Sequence, residues 1–308
     1  MISPIRISVI MPLYNKAPYV TEAIESVLQQ SHPAWEIIVI DDGSSDGGPE
    51  LVKRFGDTRI KLHSQANAGV SVARNRGIDI ASGNYIAFLD ADDRYQPGFL
   101  AKIVELITKF PDAGMLCTAY TCFWDNGDKE ERCLNNLLPD SLLCIPDFYS
   151  AWTKGAFTYT SAIVIASRIL KDSALHFPNG EKLGEDQDLW FRVAEQTKVA
   201  YANTSLADYR MGVQGSATQG NTVRDILPCY RRLSERLEHK QVPAHLQRGA
   251  RRLLASHVLN IARANLKAGS RQKAARFLLD RRAFGNPFYL LRTALAVAFS
   301  APQKNQKS

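Results

Sequence analysis

A hydrophobic strand that ends in three acids decides the fold of this 308-residue chain: residues 84–93 are NYIAFLDADD. A short apolar run closed by polar residues is typical of a strand buried inside a sheet. We therefore expect Asp90, Asp92 and Asp93, which follow the strand directly, at the edge of that sheet. Two carboxylates separated by one residue, as in Asp90-Ala91-Asp92, can both face a cleft if the backbone bends between them.

Similar strands alternate with helices on both sides of this stretch. Apolar runs predict strands at 5–11, 36–40, 59–63, 84–89 and 113–117. Helical spacing of apolar residues predicts helices at 17–30, about 51–55, 69–81 and from residue 97 onward. Alternation through short connections favours the α/β class, with a mainly parallel central sheet flanked by helices.

Three of the predicted strands deliver polar residues to one edge of the sheet. Residues 12–15 are PLYN, residues 41–44 are DDGS, and residues 90–93 are DADD. In open α/β sheets, ligands bind beyond the carboxyl ends of the strands. The sequence therefore predicts a binding site at this edge.

The chain beyond residue 117 is irregular at first and helical at its end. We expect a variable connection at 118–156, a strand within 157–166, and a helix opened by the acidic cluster at 184–188. Beyond residue 222, apolar stripes at helical spacing predict helices throughout. We therefore divide the chain into an α/β domain, residues 1–221, and a helical C-terminal region, residues 222–308.

These two parts carry opposite net charge. Residues 222–308 hold 18 Lys/Arg and 4 Asp/Glu, a net of +14, whereas residues 1–221 hold the other 20 Lys/Arg and 27 Asp/Glu, a net of −7. The basic region either packs as a solvated helical bundle or docks on an anionic membrane surface. Its stretch 287–299 is apolar apart from Arg292 and Thr293, so it is too short to span a bilayer but suited to the interface.

Cysteine usage and the N-terminal sequence favour a cytoplasmic protein. The five cysteines are odd in number and form no CxxC pair, which argues against a disulfide framework or a zinc site. The first residues, MISPIRISVIMPLYN, lack the pattern of a signal peptide, and no stretch reaches the roughly 18 apolar residues of a spanning helix. We expect the protein in the cytoplasm, either free or peripheral on the inner face of the cytoplasmic membrane.

The Asp90-Ala91-Asp92 triplet predicts a metal-assisted site for a phosphorylated ligand. Carboxylates alone would repel a nucleotide diphosphate, whereas a hard cation such as Mg²⁺ or Mn²⁺ bridges carboxylates to phosphate oxygens. The alternative is an Asp-rich turn that caps the following helix. The triplet by itself leaves both interpretations open.

Two other features have the same double interpretation. The carboxylates of Asp41 and Asp42 either accept hydrogen bonds from the base or ribose of a nucleotide, or belong to an ordinary turn. Residues 67–77, NAGVSVARNRG, place Arg74 one turn after Val70 on a helix whose start points at the same edge. A helix N-terminus and a guanidinium both favour phosphate, and a solvated surface arginine is the alternative.

Five sequence blocks together resemble a known family. They are ISVIMPLYNKAPYVTEAIESVLQQ from residue 7, EIIVIDDGSSDG from 36, NAGVSVARNRGI from 67, GNYIAFLDADD from 83 and GEDQDLWFR from 184. In this order and spacing, over about residues 5–210, they resemble the inverting family 2 glycosyltransferases of the GT-A fold. Residues 1–221 are then the expected catalytic domain.

The resemblance implies a role for each matching residue. The implied nucleotide-sugar site is formed by Pro12, Tyr14, Asp41, Asp42, Arg74 and Asp90. It also implies a divalent metal, Mn²⁺ or Mg²⁺, that Asp92 coordinates, with Asp90 beside the metal or the ribose. The implied catalytic base belongs to the Glu185-Asp186 pair, and we favour Asp186. An acidic helix start, stabilised by the helix dipole, is the alternative for this pair.

The implied reaction is the transfer of a single sugar from a nucleotide-diphosphate sugar, with a UDP-sugar favoured, to a glycan or lipid-linked acceptor. Inversion needs an acceptor hydroxyl that loses its proton as it attacks the anomeric carbon, so a carboxylate must lie within reach. The expected setting is surface polysaccharide assembly, such as O-antigen, capsule or lipopolysaccharide. The Gln/Arg-x-x-Arg-Trp motif of processive relatives is missing, which favours a non-processive enzyme, and Tyr209-Arg210 is followed by MGVQ rather than by the His of many relatives.

Three other classes compete with this interpretation. A sugar nucleotidyltransferase usually has a Gly-rich loop with Arg or Lys near the N-terminus, where this chain has PLYNKAPY. A nucleic-acid-binding protein fits the basic region, but no recognised motif is present and the acidic edge would repel phosphate. An inactive family member that acts as a scaffold would not need Asp92 and Asp186.

Overall fold

The computed structural model describes residues 4–213 and 222–299, and ten strands of this part form one sheet. The strands are β1 (Ile7–Leu13), β2 (Glu36–Asp41), β3 (Ile60–Ser64), β4 (Tyr85–Phe88), β5 (Arg94–Tyr95), β6 (Ala113–Phe123), β7 (Lys129–Arg132), β8 (Leu142–Ile145), β9 (Ile163–Ala166) and β10 (Lys198–Arg210). Along the sheet the order is β3-β2-β1-β4-β9-β6-β10-β5, while β7 pairs with β6 and β8 with β10.

The longer strands of the sheet pair in parallel. Strand β1 lies between β2 and β4 and is parallel to both, β3 is parallel to β2, and β6 is parallel to β10. Each antiparallel pair includes a strand of two to four residues: β9 joins β4 to β6, and β5, β7 and β8 pair with β10 or β6. Because β1, β2 and β4 run in one direction, their carboxyl ends meet at the same edge. The predicted mainly parallel sheet is confirmed.

Helices cover this sheet because their apolar residues repeat at helical spacing. They are α1 (Ala17–Leu28), α2 (Gly48–Lys53), α3 (Val70–Ile80), α4 (Phe99–Lys109), α6 (Ser167–Asp172) and α7 (Glu185–Ala194). Helix α1 shows the pattern: it has a proline in its first turn and buries Val20, Ala23, Ile24 and Val27 on one face. Each fully buried Val or Ile contributes roughly 1.5–3 kcal/mol, so this face fixes α1 in the core that it shares with β1.

Helix α3 approaches β1 unusually closely. A Cβ added at Gly77 would lie 2.4 Å from Cγ2 of Ile10, so only a glycine fits at this position. Arg74 lies one turn before Gly77 on α3 and contacts Asp90, which follows β4 at the carboxyl edge of the sheet. The glycine that packs α3 against β1 is therefore one turn from a side chain of the predicted site.

Up to residue 117 the predicted elements are present, although α2 begins at Gly48 rather than at about residue 51 and the two-residue strand β5 was not predicted. The later part of the sheet differs more from expectation. The expected connection at 118–156 contains the rest of β6, strands β7 and β8, and helix α5 (Phe148–Trp152). The strand expected within 157–166 is only β9, because residues 160–162 form a 3-10 turn. Sequence reasoning missed β10, whose thirteen residues make it the longest strand described.

Helices make up the described part of the C-terminal region, as predicted. They are α8 (Pro228–Glu238), α9 (Gln247–Lys267), α10 (Arg271–Leu278) and α11 (Pro287–Phe299), with a short 3-10 segment at Arg281–Gly285. The predicted stripes bury their apolar side chains, for example Leu233 on α8 and Leu254 and Val258 on α9. In residues 4–213 and 222–299, no helix is long and apolar enough to cross a membrane.

The chain divides into two compact units. One comprises Met1–Pro146 and Ala156–Gln219, and the other comprises Asp147–Gly155 and Gly220–Ser308. The boundary that we predict between residues 221 and 222 adjoins the stretch 214–221, which lies outside the described residues. The division into domains 1–221 and 222–308 therefore stays a prediction.

Candidate active site

Asp42 fixes the loop that leads into α3. Its Oδ1 accepts hydrogen bonds from Gln65 Nε2 at 2.7 Å and from the N–H of Ala68 at 2.9 Å, and its Oδ2 accepts from the N–H of Gly69 at 2.8 Å. The side chain is buried. Because protein donors already occupy both oxygens, Asp42 holds residues 65–69 at the carboxyl edge, where α3 begins. Its predicted contact with a nucleotide stays a prediction.

The ends of β1 and β2 are joined by side chains near Asp41. Its Oδ1 accepts from the N–H of Ser44 at 2.9 Å and closes a turn. Asn15, which has a positive φ of 51°, accepts from the N–H of Ser45 at 2.9 Å. Of the other predicted nucleotide contacts, Pro12 is part-buried in β1 and Tyr14 is half exposed just beyond it. This edge therefore presents an open aromatic ring beside two ordered turns.

The bend after β4 separates its three acids by burial. Asp93 is buried, where it accepts from Ser161 Oγ at 2.7 Å and from the N–H of Arg210 at 3.0 Å. Burial, followed by the charges of Asp92 and Asp90, raises the pKa of Asp93 well above its usual range. The side chains of Asp90 and Asp92 keep 28% and 17% of their surface exposed, so they are the two acids that a ligand can reach.

Lys16 supplies a cation to Asp92. Its Nζ lies 2.6 Å from Asp92 Oδ2, and both side chains are mostly buried. Sequence reasoning did not single out Lys16, although it lies in the quoted block directly after the PLYN turn. The ammonium group neutralises part of the acidic bend, so a metal ion that binds Asp92 has to displace it or share the carboxylate.

Arg74 connects the acidic bend to the start of α7. Its Nη2 donates to Asp90 at 2.7 Å, and its Nη1 donates to Glu185 at 3.3 Å. The guanidinium also lies 5.2 Å from the centre of the Phe177 ring. Burial alone would lower the pKa of Arg74, but Asp90 and Glu185 more than offset this effect, so the pKa rises and the charge is retained.

Arg74 is thus buried between two carboxylates rather than solvated on the surface. Its Nε is buried and has no acceptor among residues 4–213 and 222–299, so one donor of the guanidinium is unused. The predicted contact of Arg74 with phosphate stays a prediction. What the side chain does is hold together two acidic segments that are far apart in the sequence.

Asp186 lies at the start of α7 in an environment that favours its protonated form. Burial raises its pKa from the usual 3.8 to about 7, and the neighbouring charge of Glu185 adds to the increase. Arg74 and the N–H of Gln187, which donates to Oδ1 at 2.6 Å, lower the pKa by less. A carboxylate with a pKa close to neutral can accept and release a proton readily.

A charged cluster beneath the acidic bend was missed by sequence reasoning. Arg210, at the end of β10, donates to the carbonyl oxygen of Asp92 at 3.1 Å, to Asp125 at 2.7 Å and to Glu22 on α1. Arg94 donates to the same Glu22 at 2.5 Å. The signal for this cluster in the sequence is the Tyr209-Arg210 pair, which many relatives continue with a His. The residues that follow Arg210 are MGVQ and include no His.

Comparison with known proteins identifies the family. The model of glycosyl transferase family 2 matches residues 8–153, which include the ends of β1 and β2, helix α3 and the acidic bend. Residues 8–153 belong to glycosyl transferase family 2. The family domain thus contains the nucleotide-side residues that we predicted, whereas the Glu185-Asp186 pair lies beyond the matched residues.

Curated relatives support this assignment. The chain is similar to an uncharacterized glycosyltransferase, YibD, of Escherichia coli, with 40% identity over 125 residues, which cover 40% of this chain and 36% of that protein. It is 29% identical over 209 residues to the putative teichuronic acid biosynthesis glycosyltransferase TuaG of Bacillus subtilis. This match covers 67% of this chain and 79% of TuaG. It is 32% identical over 217 residues to the glycosyltransferase GlyA of Streptococcus pneumoniae. This match covers 67% of this chain and 30% of GlyA. The match thus spans about a third of two of these relatives.

A solved structure supports the fold. The chain resembles S. aureus TarS 1–349 in complex with UDP-GlcNAc, with a TM-score of 0.70 and 16% identity over 96% of this chain and 92% of that one. At this identity the likeness concerns the fold alone. The fold is therefore GT-A-like, as the sequence predicts.

Proposed function

We propose that this chain is an inverting, metal-dependent glycosyltransferase that transfers a single sugar from a nucleotide-diphosphate sugar to a glycan or lipid-linked acceptor. The contact of Arg74 with both Asp90 and Glu185 carries the proposal, because it joins the acids after β4 to the acids that open α7. A UDP-sugar is the proposed donor, and the TarS complex with UDP-GlcNAc supports that choice. The resemblance to TuaG supports a setting in cell-surface polysaccharide assembly.

Asp90 and Asp92 fit a divalent metal that the substrate helps to hold. Among the described residues, no group of three or more His, Cys, Asp or Glu side chains is placed to hold a metal by itself. Two part-exposed carboxylates match the one or two that Mg²⁺ takes from a protein when phosphates and water complete its coordination. A bound Mn²⁺ or Mg²⁺ would neutralise charge on the departing diphosphate.

The residues around the bend position the donor in this proposal. Tyr14, exposed beyond β1, is available to stack on the base, and the ordered turns at Asp41 and Asp42 line the nucleotide side. Arg74 holds Asp90 in place and keeps a positive charge near the diphosphate. Lys16 lies beside Asp92 and is the second cation near the same position.

Asp186 is the proposed general base. As the acceptor oxygen bonds to the anomeric carbon, its proton passes to an Asp186 oxygen, and the bond from the anomeric carbon to the diphosphate oxygen breaks. The electron pair of that bond leaves with the diphosphate. A pKa of about 7 lets Asp186 take this proton near neutral pH. Glu185 holds Arg74 and thereby fixes the start of α7 against the acidic bend.

Nucleotide release separates this proposal from its rivals. The full chain is incubated with UDP-, GDP- and dTDP-sugars and Mn²⁺, and a thermal-shift panel with UDP, GDP, dTDP and CMP identifies the base. Release of the nucleotide diphosphate by the native chain, but not by Asp186→Asn, supports sugar transfer. Pyrophosphate release from a nucleoside triphosphate and a sugar phosphate would identify a nucleotidyltransferase. Nucleotide binding with no release, when membrane glycolipids are supplied as acceptors, would support an inactive scaffold.

The proposal extends to the organisation and location of the chain. Residues 1–221 are the proposed catalytic domain and residues 222–308 the proposed basic helical region, and nucleic acid is not among the proposed partners. A cytoplasmic location agrees with the five cysteines, which are all free. Fractionation of cells that produce the full chain tests the location, since recovery in a secreted fraction would contradict it.

A further inference from the structure

The outer face of helix α11 is apolar and exposed. Phe288, Leu291, Leu295 and Phe299 keep 79%, 61%, 50% and 83% of their surface accessible. An α-helix turns about 100° per residue, so these four positions fall within an arc of about 80°. Contiguous exposed apolar side chains of this kind mark a surface that binds a membrane, another protein or a ligand.

The opposite face of α11 fixes the helix to its neighbours. Thr293 and Val297 are buried. The hydroxyl of Tyr289 donates to Asn260 on α9 at 2.5 Å. The apolar outer face is therefore presented by a helix that is packed on its other side, and its exposure does not come from a detached segment.

Positive charge accompanies the apolar face. Arg292 is exposed and lies about 40° from Phe288 around the helix, within the same outward sector. Residues 263–299 contain 8 Lys/Arg and 1 Asp, a net of +7. The one acid, Asp280, is paired with Arg282 at 2.6 Å. The segment that contains α11 is therefore strongly cationic.

We propose that the outer face of α11, together with Arg292, docks on an anionic phospholipid surface. The apolar side chains would enter the headgroup region, and the cations would lie at the level of the phosphates. The thirteen residues of α11 extend about 20 Å, less than the roughly 30 Å of a bilayer core, so the helix lies flat on the surface.

A second copy of the chain fits this face less well. Two copies would bring surfaces of the same positive sign together, which opposes association. Four apolar side chains are also few compared with the about 20–30 residues per side of a stable protein interface. The membrane proposal does not rest on sugar transfer, because vesicle binding is measured without a donor or an acceptor.

Vesicle flotation of the full chain tests the proposal. Phosphatidylcholine vesicles with and without phosphatidylglycerol are compared over a salt series. The variant Leu291→Ser/Leu295→Ser alters the outer face, and Ile80→Ser/Leu138→Ser is the matched control at exposed positions far from α11 in the sequence. We expect the first variant to lose binding to the anionic vesicles by on the order of tenfold, because two apolar side chains no longer enter the interface. The control variant should bind as the native chain does.

The electrostatic part has its own variant. Arg292→Gln should weaken binding to anionic vesicles by about fivefold, with little effect on neutral ones. Binding of the native chain should also decrease as salt rises, because exposed charges are screened within about 10 Å at 0.1 M ionic strength. Equal binding of the native chain and the serine variant would overturn the proposal. A native dimer that the serine variant dissociates, without vesicle binding, would assign the face to a second copy instead.

Discussion

The guanidinium of Arg74 lies 3.3 Å from the carboxylate of Glu185, a residue 111 positions further along the chain. The same guanidinium lies 2.7 Å from Asp90. A single buried cation thus joins the acidic bend after β4 to the first turn of α7. The charges of Arg74 and Asp90 therefore affect the proton affinity of Asp186 on α7. Arg74 lowers the pKa of Asp186, and Asp90 raises it.

Replacing Arg74 should destabilise the fold and change the pH dependence of the reaction. Arg74→Met leaves two carboxylates without their buried partner, so we expect a loss of about 3 kcal/mol in the free energy of unfolding. Because Arg74 lowers the pKa of Asp186, its removal should also move the rise in activity to higher pH. Denaturant unfolding and a pH–rate profile measure the two effects. Arg59→Met, which breaks a part-exposed pair with Asp57, is the control and should cost less than about 1 kcal/mol.

Replacing the proposed base should slow transfer without weakening donor binding. Asp186→Asn keeps the shape of the side chain but cannot accept the proton, so kcat should fall by about 10²–10⁴-fold. The donor Kd, measured by calorimetry, should change little because the proton is removed only in the transition state. Glu185→Gln is the matched comparison. An active Asp186→Asn together with an inactive Glu185→Gln would exchange the roles of the two acids.

The raised pKa of Asp186 predicts a pH-dependent gain in stability for Asp186→Asn. The native protein holds this proton more tightly than the unfolded chain does, since the pKa rises from 3.8 to about 7. The native chain therefore loses stability as pH increases through this window, and the Asn variant does not. Because the side chain is only part-buried, we expect the variant to be more stable by roughly 1–2 kcal/mol above pH 7.

Thermal melts at several pH values check this expectation. The melting temperatures of the native sequence and of Asp186→Asn should converge below about pH 4. At such pH, Asp186 is protonated in both the folded and the unfolded state, so its proton no longer affects stability. A difference that is equal at acidic and neutral pH would show that the stability change has another cause than the proton on Asp186.

Asp92 should couple nucleotide binding to the divalent metal. Asp92→Asn removes a charged oxygen ligand from the bend, so Mn²⁺ should no longer increase the affinity for UDP in calorimetry. Asp112→Asn is the control, because this aspartate is well exposed and pairs with Lys198 on the surface. Metal-stimulated binding that persists in Asp92→Asn and matches the control would exclude Asp92 as the metal ligand.

A substitution at Gly77 tests how closely α3 packs against β1. Helix propensity alone predicts that Gly77→Ala gains about 1 kcal/mol. The added Cβ would lie 2.4 Å from Ile10 Cγ2, and overpacking of this kind costs about 1–3 kcal/mol. We therefore expect Gly77→Ala to lower the free energy of unfolding, whereas Gly56→Ala, which meets nothing within 4 Å, should not. A more stable Gly77→Ala variant would show that α3 can move away from β1.

The sequence alone determined the first half of the sheet. Strands β1, β2 and β4 are short apolar runs closed by polar turns, and this local pattern locates both the strands and the residues at their ends. Strand β10 escaped detection because its residues 198–210, KVAYANTSLADYR, mix polar and small side chains. Residues 198–210 form a strand because they pair with β6 and β8, and the local sequence pattern does not show this pairing.

The site divides in the same way. The sequence determined which acids follow the strands, because hydrophobic runs and turns are local properties of the chain. Only the tertiary structure decided that Arg74 faces Asp90 and Glu185 and that Lys16 reaches Asp92. It also decided that Asp93 is fully buried while Asp90 and Asp92 keep part of their surface exposed. The physical reason is that ion pairing and burial depend on distances between segments far apart in the sequence. Residue type and spacing along one segment do not fix those distances.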